Sequence, residues 1–277
     1  MLSILIINYK NAPLLRLCLK SFQRVISSSH LLAGANHEII VVDVSASADT
    51  AHVATEEFSN IRYLPLKENV GYTRGVNHGL KSAKGDMMFI INSDIIPLEG
   101  SLDKMCAYME THPEIGLLGP QLLNFDGSIQ QSCFRFYTPL TIIYRRTFLG
   151  KLLPVKKLLN RFLMKDKDLT KPLAVDWLMG SALMVSKKAL SIVGFMDEQF
   201  YLYMSDVDWP KRFWENGYQV VFFPPSAMYH YHRRESRGAL DIFDVIFNRR
   251  TQQHITDAFR YFRKNGFREA SYITDHA

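Results

Sequence analysis

The stretch "SILIINYKNAPLLRLCLKSFQRVISS", residues 3–28, decides the fold, because a short apolar run passes directly into leucines at helical spacing. Three more apolar runs follow it: "HEIIVVDV" at 37–44, "IRYLPL" at 61–66 and "GDMMFIINSD" at 85–94. Helical stretches separate these runs, and uninterrupted apolar runs are typical of strands that are buried on both faces. The alternation predicts an α/β fold in which helices flank a mostly parallel central sheet.

The pattern changes after about residue 100, where helical and short extended segments mix without a regular alternation. The tail "FNRRTQQHITDAFRYFRKNGF", residues 247–267, has the pattern of an amphipathic basic helix. No internal repeat or low-complexity linker interrupts the chain. We therefore expect one α/β domain with a helical C-terminal extension.

The composition is that of a soluble globular protein, with 47% apolar and 22% charged residues in a chain of 277. Cys18, Cys106 and Cys133 are widely spaced and form no CxxC pair, which excludes a disulfide framework and a structural zinc cluster and fits a reducing cytosol. The opening "MLSILIINYK" lacks the basic start of a signal peptide, and no apolar run reaches the ~18 residues of a membrane span. These features predict a cytoplasmic protein.

The positive charge is concentrated in residues 145–171, which hold nine basic residues against Asp166 and Asp168. The net charge of the whole chain is +6, so the remainder is close to neutral and does not favour nucleic-acid binding. Leucines and Phe162 lie between the basic residues, as in a helix at a membrane interface. The segment predicts peripheral attachment to an anionic membrane surface, at the inner face of the cell membrane. A solvated helix that packs its leucines onto the domain is the alternative.

Two carboxylates, Asp43 and Asp94, fall at the ends of predicted parallel strands. Ligands bind beyond the carboxyl ends of such strands, so both residues are expected at the ligand edge. An Asp in this position is often a turn former, but a carboxylate is also a suitable ligand for a hard cation. His230 and His232 lie two apart in an extended segment beside Arg233, which suggests an anionic ligand or a metal.

Two further motifs have both a structural and a functional interpretation. In "NVGYTRGVNHG", residues 69–79, glycines four apart predict either close helix packing or a backbone that approaches a phosphate. In "YLYMSDVDW", residues 201–209, Asp206 and Asp208 lie among aromatic residues, where a carboxylate is costly unless it is paired, hydrogen-bonded or used. A helix cap accounts for one of these two carboxylates and leaves the other unexplained.

Together these motifs resemble glycosyltransferase family 2, and within it the bacterial rhamnosyltransferase-like branch. The resemblance runs from the first strand to about residue 237, and its order is more specific than any single motif. The matching segments are "SILIINYKN", "VVD" ending at Asp43, "NVGYTRGVNHG", "INSD", "VDWLMGSALMVSKKAL", "VGFMDEQFYLYMSDVDWPKRFWENGYQVVFFPPSAMYHYH" and "HRRES".

The resemblance implies the GT-A fold of nucleotide-diphospho-sugar transferases. It implies a GT-A domain over 1–240, with a nucleotide-sugar-binding half at 1–100 and an acceptor and catalytic half at 101–240, followed by the extension at 241–277. It also implies an inverting transfer in which a divalent cation, Mg²⁺ or Mn²⁺, neutralises the leaving diphosphate. The favoured donor is dTDP-rhamnose, and the favoured acceptor is a lipid-linked glycan in bacterial cell-surface polysaccharide (O-antigen) synthesis.

The resemblance also assigns roles to individual residues. Asp206 falls on the general base of the family, with Asp208 as a helix cap or orienting group, and Asp43 falls on the contact to the nucleotide base or ribose. The metal set is Asp94 with His230 or His232. The residues implied in binding substrate or nucleotide are Asn8, Asp43, Asn69, Gly71, Arg74, Asn77, Asn92, Trp177, Gly180, Asp208 and Arg233.

Departures from the family pattern keep two other functions open. Ser205 stands where the family has a Glu before the base, and "DVSASAD" at 43–49 breaks the usual spacing after the second strand. These departures would fit a catalytically inactive, membrane-associated partner in a polysaccharide assembly complex. A sugar-phosphate nucleotidyltransferase is the rival enzyme, but "IINYKNAPLLRL" lacks the glycine-rich loop of that class.

Overall fold

The structure is a computed structural model that describes residues 1–29, 31–32, 36–231, 249–267 and 272–273. Its first part follows the predicted alternation of strands and helices. The elements are β1 (Leu2–Asn8), α1 (Ala12–Ser27), β2 (His37–Asp43), α2 (Ala48–His52) with a π-helical turn (Val53–Glu57), β3 (Ile61–Pro65), α3 (Gly71–Ser82) and β4 (Met87–Asn92).

The second part is less regular, and short strands interrupt its helices. The elements are β5 (Ile95–Pro97), α4 (Ser101–Thr111), β6 (Ile115–Leu123), β7 (Ile129–Gln130), β8 (Cys133–Phe134), α5 (Pro139–Arg146), a 3₁₀ turn (Phe148–Lys151), α6 (Leu153–Phe162), β9 (Leu173–Ala174), β10 (Trp177–Leu178), β11 (Ala182–Ser186), α7 (Lys187–Val193), α8 (Ser205–Glu215), β12 (Gln219–His230) and α9 (Arg249–Asn265).

The main sheet has the order β3-β2-β1-β4-β11-β6-β12-β5, with β7 beside β6 and β9 beside β12. The first four strands are parallel, as predicted. Beyond β4 the sheet is mixed, because β11 runs antiparallel to both β4 and β6 while β12 runs parallel to β6. The fold is therefore α/β with a mixed sheet. The alternation of strand and helix patterns in the sequence predicts only the parallel half.

Strand register brings the candidate residues to one edge of this sheet. Asn8 at the end of β1 pairs with Asp43 on β2, and Ile7 pairs with Asn92 on β4. Because β11 is antiparallel to β4 and its Ala182 pairs with Ile91, the chain enters β11 where β4 ends. Residues from distant parts of the sequence thus meet beyond the carboxyl ends of the parallel strands, where α/β sheets bind ligands.

Both faces of the sheet are covered, which explains why the strands are apolar throughout. Alternate residues of β1 enter different cores: Ile4 and Ile6 face the helices α1 and α4, whereas Leu5 and Ile7 face α3, α7 and α8. Side chains along a strand alternate between faces, so an uninterrupted apolar run is needed to supply two cores.

A third, aromatic cluster joins the helical parts to the domain. It contains Phe134, Phe162 and Trp177, together with Tyr261 and Phe262 of α9. The C-terminal helix therefore shares a core with the domain. The predicted boundary at 240/241 lies outside the described residues and stays a prediction.

The basic segment differs from the single helix expected over 145–171. It consists of α5, a 3₁₀ turn and α6, and α6 ends at Phe162. Gly150 lies in the 3₁₀ turn and Pro154 in the first turn of α6. Proline disrupts the interior of a helix but suits its first turn, so a new helix begins here. No described helix is long and apolar enough to cross a membrane.

Candidate active site

Asp94 directly precedes β5, and His230 is the last residue of β12. His230 pairs with Ile95 of β5, so Asp94 and His230 lie together. The Asp94 Oδ1 is 3.6 Å from the His230 Nε2, and the backbone carbonyl of Asp94 accepts a hydrogen bond from the Tyr231 N–H at 3.0 Å. The Asp94 Oδ1 is buried and accepts no hydrogen bond from any residue that the structure describes. Burial raises the pKa of the Asp94 carboxyl to about 6. Such a carboxylate is poised for a cation rather than for a protein donor.

The other nitrogen of His230 is oriented by Gln130 on β7. The distance from the His230 Nδ1 to the Gln130 Oε1 is 2.6 Å, and both side chains are buried. Because an amide oxygen only accepts, Nδ1 donates in this contact, and in the neutral ring Nε2, 3.6 Å from the Asp94 Oδ1, is the nitrogen that can bind a cation. Gln130 donates in turn to the Asn124 Oδ1 at 3.1 Å. This arrangement fits a cation, because a metal-ligating His usually donates its other N–H to an oxygen.

Asp206 lies in the first turn of α8 and faces the loop before β11. Its Oδ2 accepts a hydrogen bond from the Gly180 N–H at 3.1 Å. The Tyr72 hydroxyl donates to the carbonyl oxygen of the same Gly180, so Tyr72 and Asp206 bind the backbone of one residue from its two ends. Burial raises the pKa of the Asp206 carboxyl to about 6, against the weaker effect of the Gly180 hydrogen bond. A carboxylate with this pKa can take a proton near neutral pH.

The two acidic centres are linked through the edge of the sheet. The Ser181 carbonyl oxygen accepts a hydrogen bond from the Asn92 N–H at 3.0 Å, and Ser181 follows Gly180 directly. The Ser93 N–H is held by the Ile7 carbonyl at 3.1 Å. A short path of hydrogen-bonded backbone therefore runs from Asp206 to Asp94. This path links the predicted base to the predicted metal ligand, and both roles stay predictions.

The glycines of "NVGYTRGVNHG" serve two purposes. Gly75 and Gly79 lie against Val44 and Val42, where a Cβ would clash or crowd, so the structural interpretation holds for them. Gly71 is different: its φ is +81°, and a Cβ would lie 2.5 Å from the Tyr201 carbonyl oxygen. Gly71 thus lets the loop before α8 approach the start of α3 at the edge of the site.

This loop before α8, residues 196–204, is fixed from the side of α3. Asn77 is buried, donates to the Met196 carbonyl at 2.9 Å and accepts from the Met196 N–H at 3.0 Å. The Arg74 Nε lies 3.3 Å from the Glu198 Oε2. The Tyr201 hydroxyl reaches the Asn69 carbonyl at 3.3 Å. Asn69, Arg74 and Asn77 therefore hold the loop that carries the site, and their predicted contact with substrate stays a prediction.

The α9 seam, which we define as Asp208, Asp257, Lys264 and Asn265, fixes the same loop from the other side. The Asp257 Oδ2 accepts from the backbone N–H groups of Leu202 and Tyr203 at 3.3 and 3.1 Å. Lys264 donates to Asp208 at 2.9 Å, and the Asn265 amide donates to it at 3.1 Å. The loop is thereby clamped between α3 and α9.

Asp208 corrects one prediction. It is fully buried, and Arg212 of its own helix donates to it at 3.2 Å in addition to the seam contacts. It makes no capping hydrogen bond, because the N-cap of α8 is Met204 with φ +65° and no side-chain cap. The predicted cap is therefore wrong, because the Asp208 oxygens accept from Arg212 of α8 and from Lys264 and Asn265 of α9. The predicted contact of Asp208 with substrate stays a prediction.

Asp43, Asn8 and Trp177 are also committed to protein contacts. The Asp43 carboxylate accepts from the Ser45 and Ser47 N–H groups at 3.0 and 2.9 Å and from the Tyr63 hydroxyl at 2.9 Å. Asn8 donates to the Thr50 hydroxyl at 3.0 Å. Asn8, Asp43 and Thr50 are buried. Asp43 therefore shapes the loop after β2, and its contact to a nucleotide stays a prediction.

Trp177 is buried in the aromatic cluster and donates to the Arg135 carbonyl at 2.7 Å. Its ring stacks on Phe134 with 4.3 Å between ring centroids, and its predicted contact with substrate stays a prediction. His232 and Arg233 lie outside the described residues, so their predicted roles stay predictions. Among the described residues, no three His, Cys, Asp or Glu side chains form a metal-binding group.

Three residues of the site were missed by the sequence analysis. Tyr72 lies inside the glycine motif, and an aromatic residue between glycines was the sequence signal that could have indicated its role. Gln130 and Asp257 lie in segments with no recognisable motif. Their importance follows from contacts to His230 and to the loop before α8, which are 100 and about 55 residues away in sequence.

An open cleft of about 550 Å³ lies between α3, the loop before α8 and α9. Asn69 and Arg74 line it from the side of α3, Tyr201 from the loop before α8, and Arg260 and Arg263 from α9, while Glu68 and Glu198 add two carboxylates to the lining. A carboxylate of raised pKa and a His–Asp pair at the carboxyl edge of a parallel sheet fit an α/β enzyme with the GT-A fold.

The chain belongs to glycosyl transferase family 2, whose sequence pattern matches residues 3–163. The N-acetylglucosaminyl-diphospho-decaprenol L-rhamnosyltransferase of Mycobacterium tuberculosis is 26% identical over 227 residues, covering 78% of this chain and 73% of that protein. The low-salt glycan biosynthesis hexosyltransferase Agl10 of Haloferax volcanii is 25% identical over 217 residues, covering 76% and 61%.

Solved structures agree on the fold. The mannosyltransferase PcManGT from Pyrobaculum calidifontis, in complex with GDP-Man and Mn²⁺, is similar with a TM-score of 0.58 and 15% identity, over 94% of this chain and 64% of that one. GalNAc-T7 with UDP, GalNAc and Mn²⁺ has a TM-score of 0.58 and 14% identity, over 85% and 44%. This chain thus spans less than half of GalNAc-T7.

The protein is a glycosyltransferase, as predicted. The family match disposes of the nucleotidyltransferase alternative, because the match begins at the first strand and covers more than half of the chain. Ser205 precedes Asp206, the predicted base, which accepts the Gly180 N–H and whose pKa burial raises to about 6; its role as the base stays a prediction. Among the described residues, Asp94 and His230 place a carboxylate oxygen and an imidazole nitrogen 3.6 Å apart, and a divalent cation at this pair stays a prediction.

Proposed function

We propose that the protein moves a sugar, with inversion, from a nucleotide-diphospho-sugar to a hydroxyl group of a lipid-linked glycan. L-rhamnose from dTDP-rhamnose is the favoured donor group, and cell-surface polysaccharide synthesis is the favoured process. The support for this choice is the similarity to the N-acetylglucosaminyl-diphospho-decaprenol L-rhamnosyltransferase of M. tuberculosis. The two chains are 26% identical over most of their lengths.

Asp206 is the general base of the proposed reaction. The acceptor hydroxyl oxygen forms a bond to the anomeric carbon while the bond from that carbon to the diphosphate breaks. The hydroxyl proton moves to an oxygen of Asp206, and the bonding electrons leave with the diphosphate. The raised pKa of about 6 makes this carboxylate a stronger proton acceptor than an ordinary Asp while it is still ionised near neutral pH.

Gly180 and Tyr72 orient the base. The Gly180 N–H occupies the Asp206 Oδ2 at 3.1 Å, so the proton goes to the other oxygen or to a free lone pair of Oδ2. Tyr72 holds the carbonyl group of the same residue. A Cβ at residue 180 would lie 3.0 Å from the Asp206 Cβ, so a side chain there would crowd the base.

Asp94 and His230 would hold the divalent cation between protein and diphosphate. Such a cation, when bound, neutralises the charge that develops on the leaving diphosphate. Gln130 keeps the lone pair of the His230 Nε2 directed at this position, since it accepts the Nδ1 proton at 2.6 Å. The open cleft beside Tyr201 is the proposed approach of the acceptor. Three arginines outnumber the two glutamates, Glu68 and Glu198, in its lining, and this cationic excess suits an acceptor with a phosphate group.

The observation that carries the proposal is the hydrogen-bonded path that joins Asp206 to Asp94. The test is a panel of nucleotide sugars, with dTDP-rhamnose, GDP-mannose and UDP-N-acetylgalactosamine offered to the purified protein with Mn²⁺ and a GlcNAc-diphospho-lipid. We expect transfer from dTDP-rhamnose, lost in Asp94→Asn and kept in the control Asp86→Asn, an exposed carboxylate far from the site that pairs with the chain terminus. Transfer only from another donor would overturn the choice of rhamnose and keep the reaction class.

A further inference from the structure

The helical hairpin of α5 and α6 exposes an unusual amount of apolar surface. We define the hairpin tip as Phe148, Leu152 and Leu153, which are 77%, 51% and 82% exposed. On α5, Leu140 and Ile143 are also exposed by about half. Single apolar residues are normal on a protein surface, but several on one short hairpin mark an interaction site.

The tip is held in place by its own short contacts. The Gly150 N–H donates to the Thr147 carbonyl at 3.2 Å, and the Leu152 N–H donates to the Leu149 carbonyl at 3.1 Å. Gly150 packs so closely on the Tyr144 carbonyl that a Cβ would not fit. The inward side chains of α6 include Phe162, which stacks in the aromatic cluster. The hairpin therefore contributes Phe162 to the core, while its apolar tip remains exposed.

The charge around the tip has one sign. Residues 138–165 contain seven Lys and Arg and no Asp or Glu. Lys151, Lys156, Lys157 and Arg161 are exposed. A cavity of about 590 Å³ between the start of α5 and α6 is lined by apolar Phe136 and Leu158, by the cations Lys157, Arg161 and Lys165, and by one carboxylate, Asp166, which directly follows this stretch. Apolar groups beside an excess of cations complement a surface that is apolar below and anionic above.

The root of the hairpin adjoins the active site. The hairpin lies between β8 and β10, which pair through Phe134 and Trp177. Gly180, which binds Asp206, follows Trp177 by only three residues. The strand pair from which the hairpin extends therefore leads directly into the loop that carries Gly180.

We propose that the hairpin tip is a docking surface for an anionic lipid bilayer. Phe148, Leu152 and Leu153 enter the interface, and the surrounding cations contact the lipid headgroups. The choice of a bilayer rests on charge complementarity, because a protein partner would need an acidic surface with an apolar centre while an anionic membrane has both properties over its whole area. The proposal does not depend on the identity of the sugar or on any activity.

The test is sedimentation with vesicles of phosphatidylglycerol and phosphatidylcholine in equal amounts, and with phosphatidylcholine alone. The wild type should sediment with the mixed vesicles, remain in solution with the neutral ones, and be released as NaCl is raised. Phe148→Ser with Leu153→Ser, and separately Lys156→Gln with Lys157→Gln, should each weaken binding roughly tenfold or more.

Matched controls test whether the position of the change matters. Ile192→Ser removes an apolar residue that is 56% exposed on α7, and Lys187→Gln with Lys188→Gln neutralises two exposed adjacent lysines at the start of that helix. Both controls should bind vesicles as the wild type does. All variants change exposed side chains, and circular dichroism checks that they fold.

Three results would overturn the proposal. The wild type could stay in the supernatant at low salt, or the hairpin variants could bind as well as the controls. The wild type could instead run as a dimer in size-exclusion chromatography that Phe148→Ser with Leu153→Ser converts to a monomer, which would make the tip an interface between copies of the chain. Donor binding in the absence of vesicles, measured in the same variants, separates failure of this proposal from failure of the proposed transfer.

Discussion

Carboxylates occur in two regions of this molecule, and their surroundings differ in kind. At the catalytic edge, Asp94 and Asp206 are partly buried with few donors, and burial raises the pKa of each to about 6. In the α9 seam, Asp208 and Asp257 are fully buried but surrounded by donors, including Lys264, Arg212 and backbone N–H groups.

The difference teaches where chemistry can occur. A buried carboxylate whose lone pairs are all occupied has no capacity left for a ligand, so its effect is on stability. A buried carboxylate with an unoccupied oxygen has lost its hydration and has gained no hydrogen bond at that oxygen. This imbalance favours the binding of a proton or a cation. Asp206 and Asp208 are two residues apart and fall on opposite sides of this division.

The largest expected effect tests the catalytic side. Asp206→Asn should lower transfer by about 10²–10⁴-fold while nucleotide binding is retained, because the amide keeps the shape and the Gly180 contact but cannot take the proton. Steady-state transfer rates and calorimetric titration of the nucleotide diphosphate measure the two quantities. Transfer within a few-fold of wild type would remove Asp206 from the mechanism.

The second effect tests the seam. Asp208→Asn should lower the free energy of unfolding by about 3 kcal/mol, since it leaves Lys264 and Arg212 without their buried partner. The matched control is Asp197→Asn, which loses a contact to the same Lys264 at 2.7 Å but on the surface, and should cost under about 1 kcal/mol. Urea denaturation measures both. Lost transfer in a normally stable Asp208→Asn would break the comparison.

A smaller effect tests the support of the catalytic edge. Gln130→Leu should weaken the Mn²⁺ dependence of donor binding about 10–100-fold, because the Nδ1 proton of His230 loses its acceptor and the ring its orientation. Gln130→Glu keeps an acceptor oxygen and should retain most of the affinity. Mn²⁺ titrations of nucleotide binding give the ratio. Equal affinities in wild type and Gln130→Leu would show that His230 is not a ligand.

The smallest effects concern pH. Transfer at saturating Mn²⁺ should fall about tenfold per pH unit below 6, where Asp206 becomes protonated. The folded pKa of this carboxyl is raised above its ordinary 3.8, so the folded state holds the proton more tightly and stability from this group declines as pH rises from about 4 to 6.

Asp206→Asn removes that cost and should stabilise the fold at pH 7 by about 1 kcal/mol, or a few degrees in the thermal midpoint. Thermal unfolding of wild type and variant at pH 4 and pH 7 checks the sign, because the gap between them should close at pH 4. A variant less stable than the wild type at pH 7 would contradict the assignment of Asp206 to the catalytic side.

Much of the parallel half was readable from the sequence. The runs that became β1, β2, β3 and β4 are short, apolar and separated by helical spacing, so local pattern and burial agree along them. The candidate base and the candidate metal ligand were also visible, because Asp94 ends a strand and Asp206 lies among aromatic residues.

The mixed half was not readable in the same way. Its strands β7, β8, β9 and β10 are two residues long, and their pairing depends on partners far along the chain. The role of Asp208 was misjudged for the same reason: sequence proximity to Pro210 suggested a cap, whereas its partners come mainly from α9, about 56 residues later.

The sequence by itself determined the class of fold, the family and the residue types at the catalytic edge. Periodicity and strand-end position are local properties, so they can be recognised in the sequence without knowledge of the tertiary contacts. Only the tertiary structure decided which carboxylates are saturated and which keep a free oxygen. That property depends on donors such as the Gly180 N–H and Lys264, which folding brings to Asp206 and Asp208 from 26 and 56 residues away.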